Sequence, residues 1–146
     1  MTGEVERIKC QAKAIGICHD PVNDMVMLFK VTPGGSLMET QRFPQVNAMT
    51  FTPVNETLKS GIELATGTTI KSVQFLQSYM EGPDVTYTPC QVFYVTFDSR
   101  LVEPSDNIRL LTAKQLYQEV QQGLHDDMAV IYGAHHLKML HHNIIK

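Results

Sequence analysis

The side chains able to do chemistry in this chain are few and scattered. Glu56 and Glu63 fall in a stretch of helical periodicity, and Glu81, Asp84, Asp98, Glu103 and Asp106 fall in polar, turn-like stretches. Carboxylates one helical turn apart can converge on a hard divalent ion or activate a water. Glu56 and Glu63 instead space with Lys59 as 56, 59 and 63, the pattern of a charged, solvated helix face. The loop acids are ordinarily turn formers.

His135-His136 and His141-His142 offer imidazoles, but helical metal pairs need separations of three or four. His135 and His142 share a face yet stand seven residues apart, so no metal site is expected and a pH-sensitive surface is the remaining functional use. Cys10, Cys18 and Cys90 are odd in number and lack Cys-x-x-Cys spacing, which argues for buried reduced thiols and against a disulfide framework or a thiolate zinc site. Tyr79, Tyr87, Phe93 and Tyr94 could wall a nucleobase, or simply pack in a core. No motif supports a serine or cysteine nucleophile, and His19 has no evident role.

The elements that must hold these residues follow from periodicity. Ile8 to Cys18 alternates strictly, with Cys10, Ala12, Ala14, Gly16 and Cys18 forming a small-residue face, and reads as a strand. Asp20-Pro21 and Asn23-Asp24 supply a turn, and Met25 to Val31 is a second strand, apolar on nearly both faces and therefore central. Pro33-Gly34-Gly35-Ser36 turns into a short third strand within Leu37 to Phe43. A helix is predicted from Pro53 to Thr66, with Thr52 as its cap, Gly67 at its end, and Val54, Leu58, Ile62 and Ala65 on the core side. Ile70 to Tyr79 and Thr86 to Phe97 read as strands, with Pro89 at an edge or bulge. A polar loop from Asp98 to Asn107 precedes two helices. One is capped by Thr112 and lines up Leu116, Val120 and Leu124; the other runs from Asp126 to His142 with Met128, Ile131, Ala134 or His135, and Met139 in register. The order gives an α/β (α+β) chain with helices on a central sheet, and excludes a helical bundle or an all-β sandwich.

With 146 residues and 43% hydrophobic content, residues 1–146 suit one domain with its own core. A net charge of −3 gives no global field for nucleic acid or an anionic membrane. No signal-peptide pattern and no apolar run of about 18 residues is present. A cytoplasmic protein with neither nucleic-acid nor membrane partners is expected.

One segment also carries a resemblance. Phe43-Pro44-Gln45-Val46 stands where a Nudix hydrolase has Leu-Pro-Gly-Gly, and the spacing from Pro44 to Gly67 is that of the Nudix box, here Val46 to Thr68. On that register the box glutamates become Thr52, Gly61, Leu64 and Ala65, its arginine becomes Ser60, and its glycine is kept as Gly67. The VFYVTF strand and the IRLLTAKQL segment, with Leu110 in place of a tryptophan, extend the likeness. The resemblance implies a Nudix-like α/β/α sandwich with a mixed central sheet.

In that family the box glutamates hold Mg²⁺ or Mn²⁺ for cleavage of a diphosphate. Thr57, Gly61, Leu64, Ala65 and Thr68 leave the corresponding helix face without a carboxylate. The resemblance therefore implies a degenerate box that binds a nucleotide-like small molecule or a protein partner instead of hydrolysing. Two alternatives remain open. One is a divergent diphosphate hydrolase using displaced acids, for which Glu56, Glu63, Glu81, Asp98 and Glu103 are the catalytic candidates and Mg or Mn the metal. The other is a structural homodimerisation domain. Phe43, Gly61, Leu64, Tyr79 and Phe93 are the candidates for a ligand surface. Gly61 within a helix costs about 1 kcal/mol relative to alanine, so something approaches it closely: a neighbouring strand or loop, a partner, or a flat ligand.

Overall fold

The computed structural model describes residues 8–9, 12–32, 38–48, 53–82 and 86–144, with the side chains at 8–9, 86–87 and 141–144 left aside. Thr52, the Pro33 to Ser36 turn, Asp84 and Cys10 lie outside the described residues.

The first expected strand is two. β1 (Ile8–Lys9) and β2 (Lys13–Asp20) each lie parallel to β7 (Thr86–Phe97). β2 runs two residues past Cys18 because His19 and Asp20 pair with Val26 and Met25 of β3 (Met25–Val31). The turn between them is stitched by Asp20, whose carboxylate accepts Val22 N, Asn23 N and Asn23 Nδ2 at 3.0, 3.1 and 2.8 Å. Asp24 takes φ 52°, a left-handed conformation that short polar side chains tolerate.

The third strand is only β4 (Thr40–Arg42), which pairs with the end of β3. It is followed by an unanticipated strand, β5 (Gln45–Asn47), antiparallel to the start of β2. β6 (Ile70–Glu81) pairs antiparallel with β7, and β8 (Ile108–Thr112) pairs antiparallel with β3. β8, which falls in the IRLLTAKQL segment just before the helix capped by Thr112, is a strand the sequence reading did not assign. Its alternation was too short to separate from the helix that follows. Pro89 sits opposite Met80 of β6, at a point where the parallel pairings of β7 stop at Tyr87 and resume at Cys90, so no ladder bond is asked of its missing N–H there.

The sheet path is β1-β7-β2-β3-β4, with β5 on β2, β6 on β7 and β8 on β3, and it mixes parallel with antiparallel pairs. Alternation sorts its side chains into two cores. Ala14, Cys18, Met27, Phe93, Val95 and Phe97 face α1 (Val54–Thr66) with Leu58 and Ile62. Ile15, Ile17, Val26, Leu28, Cys90 and Val92 face α2 (Ala113–Gln121) and α3 (Met128–Ile144) with Leu116, Val130, Ala134 and Leu137. Helices thus cover both faces of a mixed sheet. The small-residue face of β2 explains how closely α1 sits: a Cβ on Gly16 would stand 3.0 Å from Val95 and 3.3 Å from Ile62. Full burial of Leu58 and Ile62 contributes roughly 1.5–3 kcal/mol each.

Helix ends and faces differ from expectation in four places. Pro53 caps α1 (φ −53°, ψ 132°) and is not its first helical residue, and its carbonyl accepts Thr57 N at 3.0 Å. Thr66, not Ala65, completes the buried stripe of α1, its hydroxyl satisfied by Ile62 O at 2.8 Å. Leu124 lies beyond α2 and is exposed, because Gly123 in the left-handed region (φ 76°) ends that helix. α3 starts after Asp127, which accepts Val130 N, and buries Ala129, Val130, Ala134 and Leu137 while Met128 and Met139 face solvent. Gly67 (φ 70°) ends α1 as read from sequence, donating to Glu63 O at 2.8 Å, and the Thr112–Gln115 capping box opens α2.

Candidate functional site

The outer face of α1 has no oxygen-rich centre. A Cβ on Gly61 would stand 2.6 Å from Val46 Cγ1 of β5, so a neighbouring strand accounts for this glycine. Leu64 is 90% exposed, and Ser60 and Ala65 are exposed beside it. Gly61, Leu64 and Ala65 carry no oxygen ligand, so a hard divalent ion does not fit these positions. Of the two helix acids, Glu56 is exposed, whereas Glu63 Oε2 accepts the backbone N–H of Ile70 at 2.9 Å and ties α1 to the start of β6. Among the described residues no ion pair joins Lys59 to either acid.

The opposite face of the sheet holds a built cleft of about 240 Å³. Its floor is one row across three strands: Lys13 on β2 and Tyr79 on β6 both pair with Cys90 on β7. Glu81 follows Tyr79 by one strand period and stands 3.8 Å from Lys13 Nζ. Arg42 and Gln45 enter from the segment joining β4 to β5, and Asp126 and Asp127 from the start of α3. The Cys90 Sγ is 3.6 Å from Glu81 Oε2. Burial pushes both the Cys90 thiol and the Tyr79 hydroxyl above their ordinary values, which favours their neutral forms. The site therefore offers two cationic side chains, a neutral phenol and three carboxylates, an arrangement suited to holding a polar ligand.

Tyr79 and Glu81 are the two candidate residues that the fold brings together. Phe43 is 1% exposed, packed under Gly133 of α3, and Phe93 is 5% exposed on the α1 side of the sheet with Phe75 edge-on at 5.6 Å. Gly61 and Leu64 lie on α1, apart from the cleft. Asp98 caps a single 3₁₀ turn at Ser99–Leu101 and chelates Arg100, whose hydrogen bonds hold its carboxyl below the ordinary range. Glu103 is exposed in the following loop.

His135 stacks edge-on against Tyr117, and His136 lies between Tyr94 and Tyr132, with burial lowering its pKa. The side chains of His141 and His142 are outside the described set. Among the described residues no three His, Cys, Asp or Glu side chains gather in a metal-binding cluster. His19 proves to be a junction, joining Tyr94 Oη at 2.8 Å and Asp24 Oδ1 at 3.0 Å. Lys13, Arg42, Gln45, Asp126 and Asp127 had no local signal in the sequence, because strand pairing and the placement of α3 alone gather them.

A Nudix hydrolase from Nitrosomonas europaea has a similar structure, with a TM-score of 0.65 over 88% of this chain and 89% of that one. The fold is Nudix-like. At 11% identity the likeness speaks for the fold alone. No family model matches the sequence, and no curated protein matches it. Among the described residues of this Nudix-like fold, no helix is long and apolar enough to cross a membrane.

Proposed function

We propose that this Nudix-like domain binds a small nucleotide-like ligand in the cleft over Tyr79 and does not hydrolyse through the box helix. The observation that carries the reading is the contact of Val46 with Gly61. A side chain at position 61 would meet Val46 Cγ1 at its first carbon, 2.6 Å away. A carboxylate there would require the Val46 side chain to shift. Leu64 and Ala65 complete a face with no ligand for a divalent ion. The cleft supports the binding half of the proposal. Lys13, paired with Glu81 at 3.8 Å, and Arg42 offer cationic groups for a phosphate beside three carboxylates, and Tyr79 supplies an aromatic edge for a base or sugar.

The test is a thermal-shift and calorimetric titration with ADP-ribose and ADP, followed by chromatographic assay for AMP formation with Mg²⁺ or Mn²⁺. Binding without turnover is expected, weakened at least about tenfold by Lys13→Ala or Tyr79→Leu. Metal-dependent turnover that is lost on substituting Glu81 would instead establish a divergent hydrolase using displaced acids. Absence of nucleotide binding, with a dimer by light scattering, would favour an interaction domain.

A further inference from the structure

We propose that the groove between α2 and α3 is a second binding site, shaped for a small amphipathic organic anion. It measures about 330 Å³ and shares no lining residue with the cleft over Tyr79, so it stands independently of the nucleotide reading. A volume of that size takes one small molecule. One wall is a single face of α2, with Lys114, Tyr117, Gln118 and Gln121 recurring at three- and four-residue spacing. From Lys114 to Gln121 that face runs about 10 Å at the helical rise. The other wall is Leu137 and Lys138 of α3.

The floor is apolar and the rim is cationic. Leu137, 2% exposed, backs the groove, and the half-buried Ala113 and Tyr117 supply the apolar surface on which a ligand body would lie. Lys138 Nζ rests 4.0 Å from the centre of the Tyr117 ring, and both side chains line the groove. Lys114 and Lys138 are both exposed, and among the described residues no carboxylate lies within ion-pair distance of either. Asp24, the acid lining the groove, is held by His19 at 3.0 Å through one oxygen, so the lining carries two ammonium groups against one carboxylate. An anionic head would therefore pair with the two ammonium groups, while Gln118 and Gln121 supply neutral donors along the body.

Anilinonaphthalene sulfonate is a suitable probe, because it joins an aromatic body to an anion and fluoresces when bound. Its titration against the folded protein should show one saturable site. Decanoate should displace it, and decanol at equal concentration should not. The double substitution Lys114→Glu, Lys138→Glu should weaken probe binding about tenfold or more with the urea midpoint unchanged, while Lys13→Glu in the other cleft changes it by less than about twofold. If the double variant lowers the midpoint, Lys114→Gln and Lys138→Gln carry the same test, each with a loss of about threefold. The proposal is overturned if the lysine variants bind the probe as the wild type does, if decanol competes as well as decanoate, or if Lys13→Glu removes the binding.

Discussion

Val46 Cγ1 stands 2.6 Å from the point a Cβ on Gly61 would occupy. In a free helix, Gly61→Ala would gain about 1 kcal/mol from helix propensity. Here the new methyl meets a β-branched side chain with little rotational freedom, and overpacking costs about 1–3 kcal/mol. Gly61→Ala is expected to lower stability by about 1 kcal/mol, and in a Val46→Ala background the same change should become neutral or stabilising. Urea unfolding of the four proteins of this cycle checks it; additive effects would show that Val46 does not restrict position 61.

The same logic holds on the other face of the sheet. A Cβ on Gly133 would stand 2.5 Å from Phe43 Cε2. Phe43 is fully buried and cannot swing aside, so Gly133→Ala should cost roughly 1–3 kcal/mol despite its better helix propensity. Replacing Phe43 with Leu in the same molecule should recover part of that loss in thermal melts.

Asp20 gives the domain an acid-sensitive joint. It is 1% exposed and accepts from Ser99 N at 2.8 Å and Ser99 Oγ at 2.7 Å, as well as from the hairpin turn. Burial alone would raise its pKa, but the hydrogen bonds from Asn23 and Ser99 outweigh it and hold the carboxyl well below the ordinary range. A depressed folded-state pKa means that this stabilisation is present above the unfolded value, near 3.8, and is lost as pH falls toward the folded one. Asp20→Asn should destabilise by about 1–3 kcal/mol at neutral pH. The gap between wild type and variant should narrow progressively as pH falls below about 4; a gap constant with pH would refute the assignment.

Arg109 and Glu119 form the other polar joint. Arg109 donates through both terminal nitrogens to Glu119, and also to Gln41 at 2.8 Å; His125, 4% exposed, bonds Glu119 Oε1 at 2.8 Å. These contacts fix α2 to β8, β4 and the loop before α3. The Arg109 hydrogen bonds hold the Glu119 carboxyl below its ordinary range. Glu119→Ala leaves a partly buried guanidinium and a buried imidazole without their acceptor, and should cost about 2–4 kcal/mol. Glu119→Gln, which keeps one acceptor, should cost less. Guanidinium denaturation of both variants separates the charge from the hydrogen bond.

Much of the fold was legible in the sequence because it rests on local periodicity. The apolar run Met25–Val31, the β-rich segment Thr86–Phe97, the glycine stop at Gly67 and the cap at Thr112 each state their role within a few residues. β5 and β8 were hidden because three to five residues beside a helix carry too little period to read. The candidate cleft was half legible: Tyr79 and Glu81 stood out as an aromatic and a loop acid, but nothing local joined them to Lys13, Arg42 or Asp127.

By itself the sequence determined that the Gly61, Leu64 and Ala65 face of α1 has no carboxylate, since that follows from residue identity and the helical repeat alone. Tertiary structure decided which aromatic residue lines the cleft. Tyr79, Phe75 and Phe93 look equivalent in the chain, and strict alternation would put Phe75 and Tyr79 on one face. The register shift between Phe75 and Gln77 breaks that alternation. Phe75 stays opposite Phe93 on the α1 side, while Tyr79 comes opposite Cys90 under the start of α3. One extra residue in a strand reverses every side chain beyond it, and only pairing with a neighbouring strand reveals where that residue is.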